Sequence, residues 1–488
     1  MEASLKRRTL GNMALTASAR GITLALQLGA NVVLARALSS ADYGVVGYAQ
    51  IFISFLSLIS EFGLGSAAIQ RQRLTDAELH TGFTLRMLFG LLAFVLALVG
   101  APWCALLLGQ PEVAGVMKLL AVGFLINGLA FVPGVRAMRA LDYRRFTGAQ
   151  VAGSVVNAGV TVWMALHGYA FWSIVVANVA GVAATTLALN LLFRERPRLA
   201  LDRDSARHYA NFGGHLFVVW VLTFIIMSLD NFVIGTVLGS ATLGYYALAY
   251  SWGSKLCETL STVVNNVLFP TFAKIQSDLP SLRSAYLKSL EFVGFLAVLG
   301  YATLFAVSDD FLIYILGAGT NKWQPAIGAL QVLCIYGLIR AVLEPVGTVV
   351  MAVGGLPVMV RANLAAAVVK VVLVYPALMV FGIEGVAVVV TLSYTAQYFV
   401  FLPALKRHLS LGPFIFFGPL WRPLLSGAIA LAAIAALRSA GPLAAGAPRF
   451  WLGLLLCVGV YVTAFGLLSR GSAYIELYRL IRARSGVA

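Results

Sequence analysis

Five polar residues interrupt one apolar stretch: Thr16, Arg20, Thr23, Gln27 and Asn31 fall four, three, four and four apart. That spacing puts them on one helical face. An arginine within hydrocarbon is costly, so the face is expected to line a hydrated interior, where intramembrane charges mark a substrate path. The next stretch repeats the pattern with Gln50, Ser54, Ser57 and Glu61. A third carries His215, Thr223 and Asp230, with Asn231 beside them, and a fourth carries Tyr250, Ser254, Glu258, Ser261 and Asn265, with Lys255 adjacent. Arg340, Glu344 and Lys370 are further charges in apolar surroundings. Arg340 and Glu344 are four apart and Lys255 and Glu258 three apart, so each pair can neutralise itself along a helix or serve a ligand. Together these residues suggest a transporter with a cationic central cavity.

Catalysis finds no support in the sequence. There is no Walker A loop, G-x-S-x-G elbow or H-E-x-x-H pair, and no large external loop to hold a glycosyl-transfer site. Asp309 and Asp310 are expected as a solvated boundary, and His215 as a boundary residue of its helix. Cys104, Cys257, Cys334 and Cys457 are scattered through apolar segments, which suits packing better than a disulfide framework or a zinc site. No cofactor and no metal are expected. Without a nucleotide site, energy must come from an ion gradient, the membrane potential or the substrate's own gradient.

The elements that must position these residues are membrane helices. The chain is 60% hydrophobic and 11% charged, too apolar for a soluble globule. Fourteen stretches approach the roughly 20 residues that cross a bilayer core: 13–35, 44–65, 83–108, 113–135, 147–167, 169–193, 212–238, 244–269, 287–308, 325–352, 359–380, 383–404, 420–438 and 450–469. The net charge of +16 follows sidedness rather than nucleic-acid binding. With the N-terminus inside, the inner segments collect Lys6, Arg7, Arg8, Arg71, Arg73, Arg136, Arg139, Arg144, Arg145 and the arginines of 194–207, while the opposite side holds Arg36, Lys118, Lys322, Arg438 and Arg449. This is the positive-inside pattern, with both termini cytoplasmic and no cleaved signal peptide.

The chain also repeats itself. Residues 31–49 align without a gap to 231–249, matching Asn31/Asn231, Leu38/Leu238, Ser40/Ser240, Ala41/Ala241 and Gly44/Gly244, with Thr23/Thr223 upstream. A second echo joins 168–181 to 382–395. Six helices separate the copies, so both halves share one orientation and are expected to be related by a pseudo-two-fold along the membrane normal. The expected architecture is all-α: an N-lobe of six helices (1–193), a linker forming a cytoplasmic helix (194–211), a six-helix C-lobe (212–405), two appended helices (406–470) and an interfacial tail (471–488). In that tail Tyr474, Leu477, Tyr478 and Ile481 share one face suited to anionic lipid.

The segment LARALSSADYGVVGYAQIFISFLSLISEFGLGSAAIQRQ (34–72) resembles the polysaccharide-export branch of the multidrug/oligosaccharidyl-lipid/polysaccharide superfamily, closest to flippases of the colanic-acid type. Ala35, Arg36, Leu38, Asp42, Tyr43, Gly44, Glu61, Gly63, Gly65, Ala67, Ile69, Gln70 and Arg71 carry the match. The resemblance implies a two-lobed transporter fold and translocation of an undecaprenyl-diphosphate-linked oligosaccharide across the bacterial inner membrane. Such a cargo needs cations for its diphosphate, hydroxyl and amide partners for its glycan, and a lateral exit for its lipid. It further implies membrane lipids as partners, a polymerase and other polysaccharide-assembly proteins nearby, and no nucleic acid. Arg20 matches in location the cavity arginine of lipid II flippases, which are similar at a distance. Sodium-coupled relatives of that kind place carboxylates on helices 7 and 11. Asp230 stands in the first position, but helix 11 carries Lys370, so a pairing of Asp230 with Lys370 as a coupling switch and a fixed structural salt bridge both stay open.

The expected substrate-binding residues are Arg20, Thr23, Gln27, Asn31, Gln50, Ser54, Glu61, Tyr250, Lys255, Glu258, Asn265 and Arg340, with Asp230 and Lys370 for coupling. Two rivals are a drug/cation antiporter of the same fold and a membrane glycosyltransferase or polymerase. A third is a non-transporting scaffold, for which substitutions in the polar stripes are silent.

Overall fold

The computed structural model describes residues 2–71, 74–140, 142–194, 197–412, 417–439 and 446–469, with side chains 2–18, 20, 143, 215–216, 218–219, 263, 266–267, 356 and 417 outside that description. The interfacial tail expected at 471–488 therefore lies outside the described residues. All described elements are helical, and ten helices are long and apolar enough to cross a bilayer, or eleven with one bent pair counted as a span. Large apolar side chains such as Leu88, Leu92, Val95 and Val99, or Val368, Val372, Met379 and Phe381, stand exposed in rows. Hydrocarbon, not water, is the solvent such rows fit. The protein is a multi-pass membrane protein.

The ten or eleven long apolar helices do not by themselves confirm fourteen spans, but two of them break where the expected spans 212–238 and 244–269, and 359–380 and 383–404, divide. Each break falls at a glycine, Gly239 (φ 84°) and Gly382 (φ 61°). Both are left-handed conformations that glycine adopts without Cβ strain. The expected span 113–135 is bent by 51° between Glu112–Gly128 and Phe131–Arg139, where Pro133 in the first turn of the second piece cannot donate to a continuing helix.

The chain forms two compact units, Met1–Gly244 and Tyr245–Ala488. The first contains α1 (Glu2–Ala37), α2 (Ser40–Glu61), α3 (Leu64–Gln70), α4 (Asp76–Leu108), α5 (Glu112–Gly128), α6 (Phe131–Arg139), α7 (Tyr143–Leu166), α8 (Trp172–Phe193) and the first limb of α9 (Arg203–Lys274). A capping box starts α2: the Ser39 hydroxyl accepts from the Asp42 amide (3.2 Å) while the Asp42 carboxylate accepts from the Ser39 amide (2.9 Å). Thr75 and Glu78 do the same for α4. A core of Leu64, Ala67, Leu79, Phe83, Phe131, Val132, Val135 and Tyr209 closes the basic end of this unit.

The two copies of the Ser-Ala-x-x-Gly turn meet within this unit. Gly44 abuts the backbone of Ser240, and Gly244 abuts the backbone of Ser40. A Cβ on Gly44 would sit 2.5 Å from the Ser240 carbonyl carbon, and one on Gly244 would sit 2.7 Å from that of Ser40. The reciprocity is that of a local two-fold contact. Nearby, Tyr48 donates from its hydroxyl to the Gly235 carbonyl at 2.6 Å, so the first limb of α9 is fastened to α2.

The linker departs from expectation. Residues 197–202 carry no helix, and helix begins only at Arg203. Pro197 fixes its own φ and disfavours α geometry in the residue before it, which overrides the helix formers around it.

The second unit holds the remainder of α9, then α10 (Leu279–Ala306), the short α11 (Ser308–Asp310), α12 (Ile327–Ala352), α13 (Leu356–Leu409), α14 (Phe417–Ser439) and α15 (Ala447–Leu468). Here Asp309 and Asp310 are not a solvated boundary. The Asp310 side chain is only 6% exposed and meets Arg438 at 3.2 Å and Arg449 at 3.4 Å, and Asp309 meets Arg438 at 3.4 Å. Arg438 also donates to the Ala306 carbonyl at 2.8 Å, at the end of α10. The cluster ties α14 and α15 to α10. Because removing the acid leaves Arg449 without its carboxylate and Arg438 with Asp309 alone, Asp310→Ala is expected to cost about 2 kcal/mol, discounted from a fully buried pair because both arginines are partly exposed. Thermal unfolding in detergent checks this, and an unchanged Tm refutes it.

Candidate functional site

In the first unit, α1 leaves Gln27 exposed and Thr23 and Asn31 half-buried, while the Arg20 side chain, like those of Thr16 and His215, lies outside the described residues. Gln50 is exposed and donates from its amide to the Ser54 hydroxyl at 3.1 Å. Glu61 sits at the last position of α2 beside a residue the sequence reading missed. Arg86, on α4 and 8% exposed, donates to the Ser60 carbonyl at 2.6 Å and approaches the Glu61 carboxylate at 3.8 Å. It thereby satisfies an orphan carbonyl and the negative end of the α2 dipole. Arg86→Met leaves that carbonyl and the Glu61 carboxylate without their donor. It is expected to cost about 1–2 kcal/mol, read as a lower Tm that Arg86→Lys partly restores.

Asp230 is fully buried on α9, with the Asn231 amide at 3.5 Å from its carboxylate. Lys370 in the second unit is 1% exposed. Both have polar or electrostatic partners, as charges in such surroundings must.

The second unit assembles the most elaborate polar group, between the distal limb of α9 and α12. Tyr250 and Tyr336 stack at 5.8 Å with their hydroxyls 3.3 Å apart. Ser261 donates to the Glu344 carboxylate at 2.6 Å, and Thr348 donates to the Asn265 amide oxygen at 3.4 Å. The last two rungs follow because both helices step by four residues, Ser261 to Asn265 and Glu344 to Thr348, and the long tyrosine side chains close the first. Arg340 lies on α12 between the first and second rungs. Its guanidinium donates to the Tyr336 hydroxyl at 2.9 Å and stands 5.7 Å over the ring of Tyr394, which comes from α13. Tyr394 in turn packs edge-on against Tyr336 at 5.1 Å.

The expected self-neutralising pair is therefore not formed: among the described residues, Arg340 bonds Tyr336 and Glu344 bonds Ser261. Lys255 does approach Glu258, at 3.9 Å, and Glu258 also accepts from Ser254 at 3.0 Å. Both Lys255 and Glu258 keep exposed surface. A guanidinium presents five donors in a planar fork, and one is committed to Tyr336. What remains fits a tetrahedral oxyanion in two-point fashion, and the tyrosine faces and hydroxyls fit an amphipathic, hydroxylated ligand. Among the described residues no His/Cys/Asp/Glu group could hold a metal ion.

This fold is shared with multi-helix membrane proteins of known structure. The "Lipid II flippase MurJ, inward closed conformation" superposes with a TM-score of 0.77 over 94% of this chain and 99% of that one, at 14% identity. An inward-facing multidrug resistance transporter of the MATE family, within the MOP superfamily, gives 0.64 over 81% and 98%, at 16% identity. The chain itself belongs to the polysaccharide biosynthesis protein family, whose sequence profile matches residues 33–328. Among relatives, the lipopolysaccharide biosynthesis protein WzxC of Escherichia coli (strain K12) is 28% identical over 401 residues, covering 80% of this chain and 78% of that one. The teichuronic acid biosynthesis protein TuaB of Bacillus subtilis (strain 168) is 26% identical over 305 residues, 62% of each. The succinoglycan biosynthesis transport protein ExoT of Rhizobium meliloti (strain 1021) is 23% identical over 316 residues, covering 65% of this chain and 63% of that one.

Proposed function

We propose that the protein is a flippase that carries an undecaprenyl-diphosphate-linked oligosaccharide across the bacterial inner membrane by alternating access, for assembly of an exopolysaccharide, O-antigen or capsule. The observation that carries this reading is Arg340, an intramembrane cation walled by Tyr250, Tyr336 and Tyr394 and continued by the Ser261, Glu344 and Asn265 ladder. The family membership and the names of the relatives agree with it. In this reading Arg340, with Arg20 and Lys255, neutralises the diphosphate. Thr23, Gln27, Asn31, Gln50, Ser54, Tyr250 and Asn265 meet sugar hydroxyls, and Glu61 and Glu258 set the charge of the cavity wall. Asp230 and Lys370 serve the coupling step, each within its own unit, and α14 and α15 guide the lipid. Both termini face the cytoplasm, and a polymerase receives the cargo outside.

Chemistry supports the assignment of roles. A diphosphate held by guanidinium forks loses little when water is excluded, because the charges remain matched and hydrogen-bonded. The test is binding of purified protein to a lipid-linked oligosaccharide against cationic dyes. Saturable binding of the glycolipid, competed by the delipidated diphosphate sugar and weakened in Arg340→Met, supports the reading. Dye binding without glycolipid binding overturns it in favour of a cation antiporter.

A further inference from the structure

The non-helical linker is strapped to α4 through alternate backbone amides. The backbone N–H of Arg198 donates to His80 Nδ1 (3.2 Å), that of Ala200 to the Thr84 hydroxyl (3.0 Å), and that of Asp202 to the Thr81 hydroxyl (3.0 Å). The residues between them, Leu199 and Leu201, are 78% and 67% exposed.

The strap has a definite height. It grips α4 at residues 80–84, about 6–12 Å from the start of that helix at 1.5 Å per residue. The 33 residues of α4 span about 50 Å, against a hydrocarbon core of about 30 Å. The polar first turns of α4, with Asp76, Glu78 and His80, give way at about Phe83 to a largely apolar run that continues to Leu108, so the strap lies where that run begins, at the level where headgroups give way to acyl chains. The charge around it is basic: Arg144, Arg145, Arg194, Arg198, Arg203 and Arg207 are all exposed. Of the nearby acids, Asp202 is engaged by the Ser205 amide and hydroxyl as the cap of α9, and Asp142 meets Arg145 at 3.5 Å. Asp76 and Glu78 at the start of α4 meet Arg136 at 2.9 Å and Arg71 at 2.6 Å, and Asp204 is exposed in the first turn of α9.

We propose that residues 197–201 are an in-plane lipid anchor: Leu199 and Leu201 sink into the headgroup–acyl boundary at the basic end of the first unit, and the arginines around them select anionic phospholipid. Two leucines exposed among the described residues, at that depth and in a segment rich in exposed arginine, match an anionic leaflet in both polarity and charge.

The experiment places a bimane label on Leu199→Cys or Leu201→Cys in a Cys104→Ala background and reconstitutes the full chain in vesicles of brominated phosphatidylglycerol or brominated phosphatidylcholine. Both labels should be quenched by the bromolipid and shielded from aqueous iodide relative to free bimane–cysteine. Phosphatidylglycerol should be preferred about tenfold in mixed vesicles, as expected when several arginines each add to the attraction. The triple substitution Arg194→Gln, Arg198→Gln, Arg203→Gln should abolish that preference while leaving bromolipid contact. Iodide quenching equal to that of free bimane overturns the proposal by placing the strap in water. Protection from both quenchers overturns it by placing the strap under protein.

Discussion

Replacing Arg340 with methionine is expected to abolish most transport, by about a hundredfold in initial rate, while the protein still folds and inserts. A hundredfold is about 2.7 kcal/mol, the size expected when a charge-assisted, two-point contact to a phosphorylated group is lost. Methionine fills much of the same volume, so the packing of Tyr336 and Tyr394 survives and the loss reports the charge. Arg340→Lys should recover only part, because an ammonium is a point charge without the planar fork. Tyr336 touches the guanidinium through one hydroxyl at 2.9 Å, so Tyr336→Phe is expected to cost about tenfold by loosening the fork, near the upper end for one hydrogen bond. The double variant should be no worse than Arg340→Met alone, since both act through one group. Lys255→Met supplies the contrast. Its ammonium is a point charge without the planar fork and is shared with Glu258 at 3.9 Å, so the loss should be smaller than for Arg340→Met. The measurement is glycolipid translocation in proteoliposomes. Wild-type rates from Arg340→Met, or a larger loss from Lys255→Met, would remove Arg340 from the proposed site.

How far the sequence carried depended on where the signal lay. Apolar length and charge sidedness announced a multi-pass helical protein, because both are summed over many residues. The stripe on the distal limb of α9 was legible as well: Tyr250, Ser261 and Asn265 recur at helical spacing and each meets a partner on α12. The partners were harder to see. Tyr336, Thr348 and Tyr394 are single hydroxyls in apolar helices and leave no periodicity, although tyrosine buried in such a place needs something to bond. Arg86 was missed for the same reason. Asp310 was misread as solvated because its arginines stand more than a hundred residues away in the chain and only folding brings them together. The Arg340–Glu344 spacing permitted a pair, but the neighbouring helices offered each residue a different partner. Local spacing states what is possible, and packing selects.

The repeat offers the sharpest case of that selection, and the largest expected effect on stability. Gly44→Ala is expected to destabilise the protein by about 3 kcal/mol, at the upper end for overpacking by one methyl, because the new carbon would overlap a backbone carbonyl that cannot rotate away. Gly244→Ala should do the same, since its methyl meets the Ser40 carbonyl as the Gly44 methyl meets that of Ser240. Each must push the two turns apart, so the double substitution should cost clearly less than the two singles added. Gly29→Ala on α1 is the control: nothing lies within 4 Å of its Cβ position, and alanine favours helix over glycine by up to about 1 kcal/mol. Thermal unfolding of the four variants in detergent separates the cases. If Gly44→Ala proves as harmless as Gly29→Ala, the two turns do not touch as described. If the singles sum, they act at separate places and the reciprocal contact is not one interface. The glycines of the repeat are then explained by neither turn alone: each is required by the other copy's backbone.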